Sequence, residues 1–124
     1  MKYNIIFYEK ENHVSQVWNF LETLRLKAQK SKNARIQYNQ AILYIELLQN
    51  NGTHLPNHIT KHIDENIWEL RPGSNRIFYF FHENETFILL HTFVKKSNKT
   101  PKKEIKKAKA ERDDYLKRKE HSNL

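Results

Sequence analysis

A chain of 124 residues with no cysteine and only two glycines is long enough to bury a core of its own, and it excludes disulfide staples and thiolate-held metal. No run approaches the roughly 20 apolar residues of a membrane span, and the start, Met-Lys-Tyr-Asn-Ile-Ile, lacks the apolar core of a signal peptide. The formal net charge of +8 is uneven: residues 95–120 carry twelve Lys/Arg against five Asp/Glu, a net +7, and the rest of the chain carries +1. So localised a basic stretch points to a polyanionic partner, nucleic acid first.

In chain order, Tyr3 to Tyr8 are β-prone and read as a first strand. From about 11 to 30, Val14, Val17, Trp18, Leu21, Leu24 and Ala28 recur at helical intervals, with Glu22, Arg25 and Lys27 toward water. After a polar break at 30–33, a second stripe (Ala34, Tyr38, Ala41, Ile42, Ile45, Leu48) runs to a stop at Gly52. Two such helices with a short connection predict a hairpin covering one face of a sheet. Trp18 and Trp68 sit on these apolar stripes and are expected in the core.

Past Gly52 the period changes. Ile59, Lys61 and Ile63 alternate, and so do the residues from Ile67 to Arg71. Pro72-Gly73-Ser74-Asn75 is a turn signal leading into Arg76 to His82, and a second turn leads to Phe87–Val94. The segment 78–81 is apolar on both faces, which predicts a central strand covered on both sides. Thr100 as N-cap and Pro101 as first helical residue open a last helix to about Lys119. Its stripe (Ile105, Ala108, Tyr115 or Leu116) is thin, so loose docking is expected. The predicted order is β-α-α-β-β-β-α. The fold class is α+β, one domain over 1–124, with an N-terminal strand and helical hairpin packed on an antiparallel three- to four-stranded sheet and a basic C-terminal helix.

Candidate chemistry centres on the hairpin turn. Arg71 and Arg76 flank it and project to one face, where two guanidiniums side by side invite an anion between them. The competing reading is a pair of solvated strand ends, or Glu69 pairing with Arg76. His91 or Lys95 joins the arginines if the next strand keeps register. Lys95, Lys96 and Lys99 continue into the cationic helix with Lys102, Lys103 and Lys106. They suit phosphate contacts, or else an aggregation-resistant strand edge. Tyr115 either packs on the sheet or stacks on a base. His54, His58 and His62 lie in a loop-and-strand stretch that does not bring them together, so no metal and no cofactor is expected. Nor is there a Ser-His-Asp set, a glycine-rich phosphate loop or a pair of carboxylates. Arg, Lys and His still suffice for ribonuclease chemistry, because the substrate supplies its own nucleophile, the 2′-hydroxyl. A lysine serves as base only where neighbouring cations depress its pKa from about 10.4.

Trp68-Glu69-Leu70-Arg71, Arg76-Ile77-Phe78-Tyr79-Phe80 and Leu90-His91-Thr92-Phe93-Val94-Lys95-Lys96, running into Thr100-Pro101-Lys102-Lys103-Glu104-Ile105, together resemble the HigB branch of the RelE/ParE toxin superfamily. The resemblance covers essentially the whole chain. It implies a cytoplasmic type II toxin, a ribosome-dependent endoribonuclease (mRNA interferase) that cuts translated mRNA in the A site. A helix-turn-helix antitoxin would silence it, operator DNA being engaged only through the antitoxin complex, with no membrane partner. It implies that Arg71 and Arg76 contact the cleaved phosphate and that Lys95 and Lys96 are the basic residues after the last strand. Lys61 falls where related toxins place a lysine, His91 is a proton-transfer group by position, and Tyr115 loosely matches a C-terminal tyrosine. The alternatives are a ParE-like gyrase inhibitor on the same fold and a non-catalytic basic RNA- or DNA-binding module.

Overall fold

The computed structural model describes residues 2–122. Strand β1 (Asn4–Phe7) leads into the helices α1 (Gln16–Lys27) and α2 (Lys32–Asn51). Four strands follow, β2 (Thr60–Asp64), β3 (Ile67–Leu70), β4 (Asn75–His82) and β5 (Thr86–Val94), and then helix α3 (Lys102–Ser122). The sheet order is β1-β5-β4-β3-β2. β2 to β5 form an antiparallel meander, and β1 pairs parallel to β5. The element order holds one strand more than the sequence predicts, because the turn at Glu65 (φ 50) splits 60–70 into β2 and β3 with Lys61 opposite Glu69.

Serines set both helix starts. Ser15 and Ser31 are N-caps whose hydroxyls accept from the N–H of Trp18 and Ala34 at 3.1 Å each, satisfying donors the helix leaves unpaired. Residues 10–14 form a turn, closed by Lys10 N–H to Val14 and His13 N–H to Lys10, so α1 begins later than its periodicity suggests. Val17, Leu21 and Leu24 then face inward. Trp18, one residue off that line, is 52% exposed, and Val14 is exposed as well. The expectation of a core Trp18 is therefore corrected: the buried stripe of α1 is narrower than its apolar content. Trp68 is half-buried and packs on the core.

Each sheet face has its own core. On the helical-hairpin face, Val17, Leu21, Ala41 and Leu48 meet Leu70, Ile77, Tyr79, Phe87 and Leu89. On the other face, Ile67, Phe78, Phe80, Ile88 and Leu90 meet Ala108, with Ile105, Tyr115 and Leu116 packed around them. β4 is central, as its two-faced apolar pattern predicts, and Phe78, Tyr79 and Phe80 are fully buried. A register shift sets Phe78 opposite His91 but Tyr79 opposite Leu89. Leu90 is thus the extra residue of a bulge, and Leu90 and His91 both end up on the α3 side.

Helix α3 starts one residue later than expected, the Ile105 N–H bonding to the Pro101 carbonyl. It makes polar contacts that its thin stripe does not suggest. Lys109 Nζ reaches Asp64 at 2.6 Å and Arg112 Nη1 reaches Glu65 at 2.9 Å, tying α3 to the β2–β3 turn. The Tyr8 hydroxyl donates to Asp114 at 2.6 Å, and Arg118 braces that carboxylate while lying over the Tyr8 ring. Burial, then the Asp114 bond, pushes the Tyr8 hydroxyl up to about 12. Among the described residues, no helix is long and apolar enough to cross a membrane.

Gly52 ends α2 at φ 62, ψ −145, a region close to glycine-only, and a Cβ there would lie 2.8 Å from the Tyr3 ring. Gly52→Ala should therefore cost about 1–3 kcal/mol, read as a lowered urea midpoint with an unchanged slope.

Candidate active site

Where β3 and β4 meet their turn, α3 no longer covers the sheet, and a cleft opens on the α3 side. Its floor follows from strand alternation. Lys61, Glu69 and Phe78 are partners across β2, β3 and β4, and Arg71, two residues past Glu69, returns to the same face. Arg76 lies opposite Phe93. The Lys95 N–H donates to the Ser74 carbonyl at 2.8 Å, pinning the chain as it leaves β5. The loop 97–101 forms the far wall. Five cations line the cleft, Lys61, Arg71, Arg76, Lys95 and Lys99, with one carboxylate, Glu69. The space they enclose is small, about 30 Å³, and room for a water needs only about 10–15 Å³ by this measure.

The guanidiniums are fixed differently. Arg76 is 6% exposed, and its Nη1 donates to the Gly73 and Asn75 carbonyls at 2.7 and 2.8 Å, bracing the turn. Arg71 donates through Nη1 to the Asn57 carbonyl at 2.8 Å. Glu69 Oε2 lies 3.3 Å from Arg71 Nε and 3.8 Å from Arg76 Nε. Both readings of the hairpin thus contain part of the geometry: the arginines share a face, and Glu69 sits between them. Burial lowers the Arg76 pKa, against the opposing pull of Glu69. Burial raises that of the Glu69 carboxyl, against Arg76, Arg71, Lys61 and Lys95.

The structure brings Arg71, Arg76, Lys95, Lys61 and Lys99 together and leaves other candidates elsewhere. Lys96 and Lys103 line a separate groove on the outer side of the loop, with Phe93, Val94 and Glu104. Lys102 and Lys106 stand exposed on the first turns of α3. Tyr115 packs edge-on against Phe80 and His82, 6.1 and 5.7 Å between ring centres, which is the packing alternative. His91 does not reach the cleft. The bulge turns it under α3, fully buried, with Nδ1 2.5 Å from Glu111 and Nε2 3.0 Å from Glu104. It is a clamp between sheet and helix, and the expectation that it joins the arginines is corrected. Among the described residues, no His, Cys, Asp and Glu group is disposed to hold a metal. Sequence reasoning gave Glu69 only a pairing with Arg76, although its two-residue spacing from Arg71 already placed it in the site.

A sheet whose open end gathers five cations around one carboxylate, beside a helix still rich in unburied lysines, defines a small basic α+β protein with a pocket suited to an anion. Residues 26–113, well over half the chain and including every cleft cation, match the phage-derived Gp49-like proteins (DUF891). The chain belongs to that family, a family of type II toxins of the RelE/HigB-like kind, and a toxin of this type has an antitoxin as partner. No curated protein matches it.

Proposed function

We propose that this toxin is a ribosome-dependent endoribonuclease of the HigB type, cutting translated mRNA by attack of a 2′-hydroxyl on the adjacent phosphate. The observation that carries the reading is the convergence of Lys61, Arg71, Arg76, Lys95 and Lys99 on one small cleft. Catalysis of this kind is mainly positioning and charge stabilisation. Arg71 and Arg76 face the phosphate and stabilise the charge growing on its equatorial oxygens, and Lys61 and Lys95 flank it. Lys99, Lys102, Lys103 and Lys106, with Lys96 in the adjoining groove, hold neighbouring phosphates of mRNA and ribosomal RNA. Of the cations in the terminal element, Lys109, Arg112 and Arg118 are engaged in docking α3. Lys102, Lys103, Lys106, Lys107 and Lys117 stand exposed, which leaves a large positive surface beside the cleft. A cognate helix-turn-helix antitoxin would silence the toxin in the cytoplasm by covering this surface or blocking its approach to the ribosome.

Brief induction should arrest growth, and mapping the 5′ ends of cellular mRNA should show new ends confined to translated reading frames. Intact mRNA with double-strand DNA breaks would instead assign the protein to gyrase poisoning. RNA binding without cleavage on translating ribosomes, weakening with salt by about −0.7 in log–log slope per phosphate contact, would make it a binding module.

A further inference from the structure

The cleft holds a group that its structural surroundings leave unexplained. Glu69 is 3% exposed, and its Oε1 is buried without a hydrogen-bond partner among the described residues. Its Oε2 lies near two guanidiniums, but neither approach closes as a hydrogen bond. Buried carboxylates normally accept hydrogen bonds, and one that does not calls for a functional or structural reason. Glu69 is also the one carboxylate lining a cleft whose other ionisable groups are all cations.

Resting on the ribonuclease reading, we infer that Glu69 is the general base, its carboxylate accepting the proton of the attacking 2′-hydroxyl. As that proton moves to the carboxylate, the 2′-oxygen forms its bond to phosphorus. The bond from phosphorus to the 5′-oxygen then breaks with its electron pair, and the 5′-oxygen takes a proton from the Lys95 ammonium. The products are a 2′,3′-cyclic phosphate and a 5′-hydroxyl, and exchange with solvent restores Glu69 and Lys95. A lysine base would have to be neutral, whereas an ordinary lysine titrates near pH 10.4. A carboxylate is already in its basic form at neutral pH. Burial makes it a stronger base than an exposed one, against the opposing pull of Arg76 and Arg71, and those two guanidiniums hold the phosphate against it. The charged groups that face Glu69 are Lys61 on β2, Arg71 beyond β3, Arg76 on β4 and Lys95 beyond β5.

The test compares wild-type protein with Glu69→Gln and Glu69→Asp on translating ribosomes. One set carries all-ribose mRNA, and the other carries a 2′-O-methyl group at the scissile nucleotide, which permits binding but removes the nucleophile. Glu69→Gln should lower the single-turnover cleavage rate by about 10²–10³-fold while binding the 2′-O-methyl complexes at least as tightly as wild type. In wild type, the rate should rise with pH as Glu69 ionises, and Glu69→Asp should be slower yet keep that limb. Should Glu69→Gln not fold, Glu69→Asp decides, and a rate that does not vary with pH in this variant overturns the assignment. Tighter binding with an unchanged rate for bound Glu69→Gln overturns it too, leaving Glu69 as a counter-ion that restrains the arginines. If wild type itself leaves all-ribose mRNA uncut, the ribonuclease reading fails first, and the outcome is recognisably different.

Discussion

Arg76→Ala should abolish growth arrest and lower mRNA cleavage by about 10²–10³-fold, the size expected when one fixed donor to a developing oxyanion is removed. It should also cost stability, because Arg76 works twice. Its guanidinium binds the Gly73 and Asn75 carbonyls inside the turn and neutralises Glu69, a carboxylate that is itself buried. Removing one partner of a buried ion pair costs about 3–5 kcal/mol, so inactivity of this variant alone would not separate chemistry from folding. Two companions do. Arg71→Ala removes a less buried guanidinium, with a loss of about 1 kcal/mol, and should still reduce cleavage at least tenfold. Arg76→Ala with Glu69→Gln removes both charges together, and should regain much of the lost stability without regaining activity. Urea unfolding supplies the stabilities, and cleavage on programmed ribosomes supplies the rates. If Arg71→Ala and Arg76→Ala both arrested growth as wild type does at equal expression, the cleft would not be where phosphate is handled.

The parts legible in the sequence were those governed by short-range rules. Alternation and the Pro72-Gly73-Ser74-Asn75 turn placed Arg71 and Arg76 side by side, because two strands joined by a tight turn leave little freedom of register. The two-faced apolar run at 78–81 identified the central strand for the same kind of reason, although Phe81 at its end is 45% exposed. What escaped was set by interruptions and by long-range pairing. His91 does share the arginine face, opposite Phe78, but Glu104 and Glu111 of α3 close over it, and the cover of a distant helix is not written in strand alternation. The break at Glu65 turns one predicted strand into two and thereby carries Lys61 back beside Glu69. The grip of α3 was invisible because its partners, Asp64, Glu65 and Tyr8, lie 45 to 106 positions away, and no periodicity reports a polar contact at that distance. Trp18 shows the reverse error, an apolar residue assigned inward by its place on a helical stripe whose buried part is only Val17, Leu21 and Leu24.

His91→Leu should destabilise the protein by about 3–5 kcal/mol, the cost of leaving buried charge without its partner. His91 is fully buried with Glu111 on one ring nitrogen and Glu104 on the other. Leucine has nothing to offer either carboxylate, and Glu111, 7% exposed, has no route to water without lifting α3. Hydrogen exchange of the backbone amides from Lys102 to Glu111 should therefore accelerate in this variant. Because the Glu104 N–H is bonded to the Pro101 carbonyl, the far wall of the cleft should loosen with it, and cleavage should fall. The informative variant is His91→Leu with Glu111→Leu, which replaces the closest hydrogen-bonded pair by apolar side chains of suitable size, a change that buried polar pairs often tolerate well. It should recover most of the stability and, since His91 stands outside the cleft, cleave mRNA within about threefold of wild type. A double variant that unfolds like wild type but leaves mRNA intact would reinstate His91 as a proton carrier and remove the distinction between clamp and catalyst drawn from its position under α3.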